Sequence, residues 1–261
     1  VAGVIQSVDR AVAVLLELQG ARRLRLTELA NRLSLPNSTV HGIVATLVTR
    51  GMVEQDASGR YALGPGVLRL SNVYLDSNEL RLRALTWTEA LADRSGCAVR
   101  VGVPLERDIV VIHHVLRPDG SHQMREIGID IPAHGTALGK AVLAFDDRRS
   151  EELLATAPLP KLTGRTCVDG AELAEQFARV RHDGIASAID EAILGESELA
   201  APIFDAHDAV IGAVGVVLSS SEATSDRMII DEVRRTAVSI SRELGATAWP
   251  PRSHPRTSSG G

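Results

Sequence analysis

The feature that most constrains this chain is the order of elements over residues 7–64, where three helical segments run directly into two short strands around a polar turn. Ser7 is placed to cap a first helix with Val8, Val12, Leu15 and Leu16 as its apolar stripe, and Gly20 ends it. A second helix is expected from Thr27, with Leu26, Leu29, Ala30 and Leu33 at helical spacing. Glu28 lies in its first turn, where the helix dipole favours an acid. Leu35-Pro36 breaks the pattern. A third helix is expected from Asn37 or Ser38, either of which can cap it, through Arg50 to the stop at Gly51. Its inward face reads Val40, Ile43, Val44, Leu47 and Val48. Residues 52–64 then form a hairpin about Asp56-Ala57-Ser58-Gly59. Three helices and a hairpin predict a winged helix-turn-helix over residues 1–65, followed by a linker helix over 66–78.

The outward face of the third helix carries Asn37, Ser38, Thr39, His41, Gly42 and Thr46. A helix enters the major groove of DNA only with small polar side chains on its leading face, and these residues can hydrogen-bond base edges or phosphates. Arg22 and Arg23 precede the second helix, Thr27 opens it, Arg50 closes the third and Arg60 lies on the hairpin. Cations at such places supply the salt-sensitive part of DNA affinity. Residues 1–64 hold seven Lys/Arg against five Asp/Glu, although the whole chain has a net charge of −5. A slightly basic module on an acidic body fits nucleic-acid binding by one part of the chain. A solvated helical hairpin with no ligand would show the same polar face; the hairpin after the third helix favours the DNA-binding reading.

Beyond residue 79 the pattern becomes α+β. Helices are expected at 79–94, 137–145, 151–156, 171–182 and 226–244. Strands are expected at 98–103, 109–116, near 123–128, and around 186–190, 199–204 and 209–218. The final helix shows Ile230, Val233, Ala237, Ile240 and Leu244 on one face. Residues 79–248 thus read as one domain, and 249–261 as a disordered tail with too little apolar content to fold.

Several classes of function find no support. Cys97 and Cys167 form no metal-binding or disulfide spacing, and His113-His114 alternates across a strand with no third ligand nearby. His134 has no serine elbow or cysteine partner, and Gly212-Ala-Val-Gly215 lies within a strand pattern without a following helix. No catalytic residue, metal or cofactor is expected. Asp9, Arg10 and Glu17 interrupt the first apolar run, and no run reaches membrane-spanning length, so a cytoplasmic chain is expected.

The segments Ile5 to Leu15, Leu35 to Gly42, Leu47 to Glu54, Gly59 to Gly64, His134 to Ala144 and Asp190 to Asp205 resemble the IclR family of regulators, in the same order and spacing. The resemblance implies a GAF-like effector domain, binding to double-stranded operator DNA, a small-molecule effector, and a homodimer or a tetramer made of two dimers. It implies dimer contacts through the helices near residues 5–19 and 66–80. Asn37 and Gly42 depart from it, because the family often has basic residues there. His41-Gly42, Tyr74-Leu-Asp76 and Glu126-Ile-Gly128 are similar to the family's glycerol-operon regulators.

Carried over by position, the resemblance places an effector among Thr136, Ala137, Leu138, Ala188, Asp190, Glu198, Gly215 and Val217. The free backbone N–H groups after Thr136 can bind an oxygen. Glu198 stands where an uncharged residue is usual in the family, and an acid there disfavours a carboxylate ligand and suits hydroxyls. Glycerol or glycerol 3-phosphate is the expected effector, with Arg117, Arg125 or Lys140 as partners for a phosphate. A small organic acid remains the alternative effector, and an enzyme with an adaptor domain the distant one.

Overall fold

The computed structural model describes residues 3–156, 158–219 and 226–251. They divide into two compact units, one ending at Ser77 and the other beginning at Asn78.

The first unit comprises α1 (Gln6–Ala21), α2 (Leu26–Arg32), α3 (Asn37–Thr49), β1 (Val53–Gln55), β2 (Tyr61–Leu63) and α4 (Gly66–Ser77). β1 and β2 pair antiparallel, and Leu24 adds a bridge to Tyr61. Val14, Leu18, Leu24, Leu29, Val40, Val44, Val53 and Tyr61 form the core on which the three helices and the wing close. Asp56 organises the turn between the strands. Its Oδ1 accepts from the backbone N–H groups of Ser58 (2.9 Å) and Arg60 (3.0 Å), and its Oδ2 accepts from Arg23 at 2.7 Å. Those bonds, led by the Ser58 hydroxyl, hold its carboxyl well below the usual carboxylate range.

Four expectations for this unit need correction. Val8, Val12 and Leu16 are exposed, at 57 %, 49 % and 60 %, while Val14 and Leu18 are buried. α1 has two apolar faces, and the stripe chosen from the sequence is the outer one. Ser7 does not cap α1, whose N-cap is Ile5, and α3 begins after Pro36 with no side-chain cap. Proline pre-sets the entry angle, and its carbonyl accepts from Thr39 N at 3.0 Å and Val40 N at 3.1 Å, so the first turn closes on the backbone without a side-chain cap. Val48 is exposed, because the inward face of α3 closes on Val40 and Val44.

The second unit comprises α5 (Glu79–Ser95), β3 (Ala98–Leu105), β4 (Asp108–Val115), β5 (Asp130–Pro132), a 3-10 turn at Ala133–Gly135, α6 (Ala137–Leu143), α7 (Asp147–Leu154), α8 (Gly170–Asp183), β6 (Ala186–Ile189), β7 (Glu196–Phe204), β8 (Val210–Ser219) and α9 (Arg227–Glu243). The chain breaks between α4 and α5 because Asn78 caps a new helix, its Oδ1 accepting from Arg81 N at 2.9 Å. The six strands form one antiparallel sheet in the order β5-β4-β3-β8-β7-β6. α6 packs against β6, β7 and β8, and α5 and α9 against β3, β7 and β8.

The strand expected at 123–128 is a loop; the edge strand is β5, three residues long. Polar residues in β7 concealed its start at Glu196, ahead of the expected 199. On α9, Ile229 faces inward and Ile230 is only half-buried. The expected tail is ordered at its start, since Trp249 donates from Nε1 to Pro202 O at 2.8 Å and packs against Gly184. Residues 252–261 lie outside the described residues.

Candidate functional site

In the first unit, Asn37, Ser38, His41, Thr46 and Arg50 are exposed on or at the end of α3, and Thr39 is half-buried. α3 is amphipathic along its whole length, so packing Val40 and Val44 inward forces the polar row out. The Thr46 hydroxyl donates to Gly42 O at 2.9 Å, which leaves its lone pairs outward as acceptors. Arg22 and Arg23 lie in the turn between α1 and α2, Thr27 in the first turn of α2 and Arg60 on the wing, all exposed. Arg23 is bound to Asp56, so its guanidinium joins the α1–α2 turn to the wing. Glu28 accepts from Arg25 N at 2.6 Å and fixes the start of α2. The result is a small polar surface with cations at both ends, the form needed to enter a groove between two phosphate backbones.

In the second unit, strand register brings together three of the expected effector residues. Ala188, Glu198 and Val217 are consecutive partners across β6, β7 and β8, and the row continues to Ala98 on β3. Gly215 lies in the next row on the same face, between Ala200 and Arg100. It must be glycine, since a Cβ there would stand 2.7 Å from Leu199 O and 2.9 Å from the Ala200 side chain. Thr136 caps α6, its Oγ1 accepting from Gly139 N at 3.0 Å. Gly139 lets α6 settle on the 3-10 turn, because a Cβ would fall 2.0 Å from Ala133 O.

The amides of Ala137 and Leu138 do not stand open. Glu198 Oε2 accepts from Ala137 N at 2.7 Å and from Leu138 N at 3.3 Å. Glu198 is buried, and burial raises its carboxyl above the usual range despite Arg100 and the two amides. The expected arrangement, with a ligand between carboxylate and amides, is corrected: the carboxylate itself fills that place. The remaining cavity beside Thr136, Ala188 and Glu198 is about 20 Å³, room for roughly one water.

Asp190 and Glu191 brace loops. Asp190, at φ 57°, accepts from Gly195 N at 2.7 Å and closes residues 190–195 into a tight loop. Glu191 pairs with the buried Lys140 and accepts from Cys167 N at 3.1 Å. Lys140 is therefore engaged inside the fold, which corrects its expected part as a phosphate partner. His134 is bonded through Nε2 to Pro160 O at 2.9 Å.

Sequence reasoning missed Arg100. It is buried in β3 and faces three carboxylates: Glu126 at 2.5 Å, Glu196 at 3.3 Å and Glu198 at 3.8 Å. Burial works against its charge, but Glu198, Glu126 and Glu196 more than offset this and raise its pKa. The signal available was a lone Arg inside the apolar alternation of β3, which has to be paired if buried. Beyond Arg100 opens a cleft of about 480 Å³ lined by His114, Arg117, Gln123, Glu126, Glu196 and Val217, among others. Of the expected effector residues it includes Val217 alone. Among the described residues there is no group of three or more His, Cys, Asp or Glu placed to hold a metal ion, and no helix is long and apolar enough to cross a membrane.

Residues 7–57 match the IclR helix-turn-helix domain, and residues 72–242 match the bacterial transcriptional regulator IclR C-terminal domain. The chain is 42% identical to a glycerol operon regulatory protein of Streptomyces griseus, over 93% of this chain and 97% of that protein. It matches the protein of the same description from Streptomyces coelicolor to the same extent. The transcriptional repressor IclR of Escherichia coli is 31% identical over 87% of this chain and 84% of that protein. A crystal structure described as an IclR transcriptional regulator from Silicibacter sp. TM1040 superposes with a TM-score of 0.82 at 27% identity, covering 96% of this chain and all of that one. These matched proteins are transcriptional regulators and not enzymes. With both halves of the fold matched in order, the chain belongs to the IclR family of DNA-binding transcriptional regulators.

Proposed function

We propose that this regulator represses a catabolic operon and is controlled by glycerol or glycerol 3-phosphate bound in its second unit. The observation that carries this reading is the 42% identity to two glycerol operon regulatory proteins across 93% of the chain. That identity spans both units, the one that would read DNA and the one that would hold the ligand. Glu198 supports it from the chemistry. A carboxylate already hydrogen-bonded to the Ala137 and Leu138 amides competes with any organic acid for the same donors and repels its charge. That favours a hydroxylated effector over the organic-acid alternative.

DNA is read by α3 through Asn37, Ser38, Thr39, His41 and Thr46, with phosphates held by Arg22, Arg23, Thr27, Arg50 and Arg60. One such helix reads only a few base pairs, so two copies on a near-palindromic site supply the specificity. The exposed apolar residues of α1 (Val8, Val12, Leu16) and α4 (Leu68, Leu70, Val73) suit them to pairing in a homodimer, or in a tetramer of two dimers. The working compartment is the cytoplasm, where the operator is. The test is selection of bound duplexes from a random DNA pool by the purified chain, followed by titration of the winning site with glycerol and glycerol 3-phosphate. Release of the DNA by either compound supports the reading. A site indifferent to both, yet released by pyruvate, overturns the effector assignment and leaves the DNA-binding one standing.

A further inference from the structure

We infer that the cleft beside Arg100 binds the adjacent hydroxyl groups of a small polyol, with His114 as donor and Glu126 and Glu196 as acceptors. This inference rests on the reading above that the effector is a polyol, and it gives that effector a place and a chemistry.

Space decides first. The cavity among the residues expected from family position holds about 20 Å³, whereas the cleft holds about 480 Å³ and is open to entry. A three-carbon polyol fits the second without any rearrangement of Glu198.

The second observation is an unsatisfied donor. His114 is 4 % exposed and is one of the residues that line the cleft. Its Nδ1 accepts from the backbone N–H of Glu126 at 3.2 Å, which puts the ring proton of the neutral form on Nε2. Burial, helped by Arg100, keeps the ring neutral by lowering its pKa, although Glu126 pulls the other way. Nε2 has no hydrogen-bond partner among the described residues. A buried donor without an acceptor is costly and is a recurrent mark of a place where a ligand or water completes the network.

The third observation is the charge of the walls. Arg100 is held between Glu126 and Glu196, whose side chains are 24 % and 32 % exposed and which both line the cleft. Each carboxylate has lone pairs beyond those Arg100 uses, and hydroxyl groups are the donors that fit them. Arg100 and Arg117 line the cleft together with Glu126, Glu196 and Asp119, so carboxylates outnumber guanidiniums there. Such a surface repels a bare anion. A vicinal diol meets it in full: its O–H groups donate to Glu126 and Glu196, and one of its oxygens accepts from His114 Nε2. A terminal phosphate, if present, would meet Arg117, the second guanidinium that lines the cleft.

Calorimetry on the purified full chain tests this with four probes: glycerol, glycerol 3-phosphate, propane-1,3-diol (which lacks the middle hydroxyl) and pyruvate. The parent is expected to bind glycerol or glycerol 3-phosphate, and the two arms tell the free polyol from its phosphate ester. Propane-1,3-diol is expected to bind at least tenfold more weakly than glycerol. Glu196→Gln, on a part-exposed side chain, and His114→Phe, which keeps the ring but not the donor, are each expected to weaken polyol binding tenfold or more. Ala188→Val, which fills the small cavity and leaves the cleft alone, is expected to leave it unchanged. If His114→Phe fails to fold, Glu196→Gln carries the test. A polyol that binds the parent, Glu196→Gln and His114→Phe equally, or is lost only in Ala188→Val, overturns the cleft assignment while the polyol reading survives. Binding of pyruvate alone overturns both.

Discussion

Glu198 Oε2 lies 2.7 Å from the amide of Ala137, so a side chain near the start of β7 caps the first turn of α6 sixty-one residues away in sequence. Removing it by Glu198→Ala leaves two buried N–H groups unpaired and Arg100 short of one counter-charge. The expected loss is about 2–4 kcal/mol of unfolding free energy. Glu198→Gln keeps an acceptor oxygen for the amides and is expected to lose less. Urea titration of the three proteins checks the order.

Gly139→Ala tests the seat of α6. The added methyl would fall 2.0 Å from a backbone oxygen, Ala133 O, which no rotamer change relieves. Destabilisation of about 3 kcal/mol or more is expected, read as a fall in the urea midpoint. A stability equal to the parent's would mean that α6 and the 3-10 turn sit differently.

His113 gives the second unit an acid-sensitive limb. Burial, reinforced by Arg81, lowers its pKa to about 4 from the ordinary histidine value of 6.5. An unfolded chain therefore binds a proton here over a range in which the folded chain does not. Stability is full above pH 6.5, declines as the pH falls toward about 4 and levels off below that. His114 is shifted in the same direction, so His113→Leu is expected to remove only part of the slope, roughly 1–3 kcal/mol across the window. Urea midpoints for parent and variant between pH 4 and 7 report the difference.

The DNA contacts divide into two kinds. On the proposed reading, Thr39→Ala and His41→Ala remove groups that would reach base edges, and each is expected to weaken binding to the selected site by about 1–3 kcal/mol per lost contact while narrowing the gap to random DNA. Arg60→Ala would remove a proposed phosphate contact and is expected to weaken all duplexes alike, lowering the salt slope by about 1. Gel shifts at several salt concentrations separate the two behaviours.

Much of this was legible in advance, for stateable reasons. α3 announced itself because Val40 and Val44 recur at helical spacing against a polar row, and the hairpin because Asp56 and Gly59 mark a turn. The register that aligns Ala188, Glu198 and Val217 was carried by family position, since local pattern says nothing about which strands pair. Arg100 was hidden because its three carboxylates come from β7 and from the loop after β4, contacts that exist only once the sheet forms. The outer stripe of α1 was misassigned because a helix with two apolar faces offers no internal sign of which one the monomer buries. Glu198 was expected opposite the Ala137 and Leu138 amides, but a strand geometry was needed to show that its carboxylate reaches the amides itself.

The exposed stripe of α1 also makes a prediction about assembly. Val12→Glu together with Leu16→Glu changes no buried side chain, so the fold should survive. In light scattering the parent is expected as a dimer or tetramer and the variant as a smaller species with weakened affinity for the full operator.

The central claim is that a hydroxylated ligand in the second unit controls DNA binding by the first. The most direct measurement is fluorescence anisotropy of a labelled, selected operator with the full chain, titrated with glycerol and glycerol 3-phosphate. The account predicts at least a tenfold change in operator affinity with one of them in the parent, and its loss in Glu196→Gln at unchanged ligand-free affinity. Operator affinity that stays constant across both titrations, in a protein that binds the operator specifically, would contradict it.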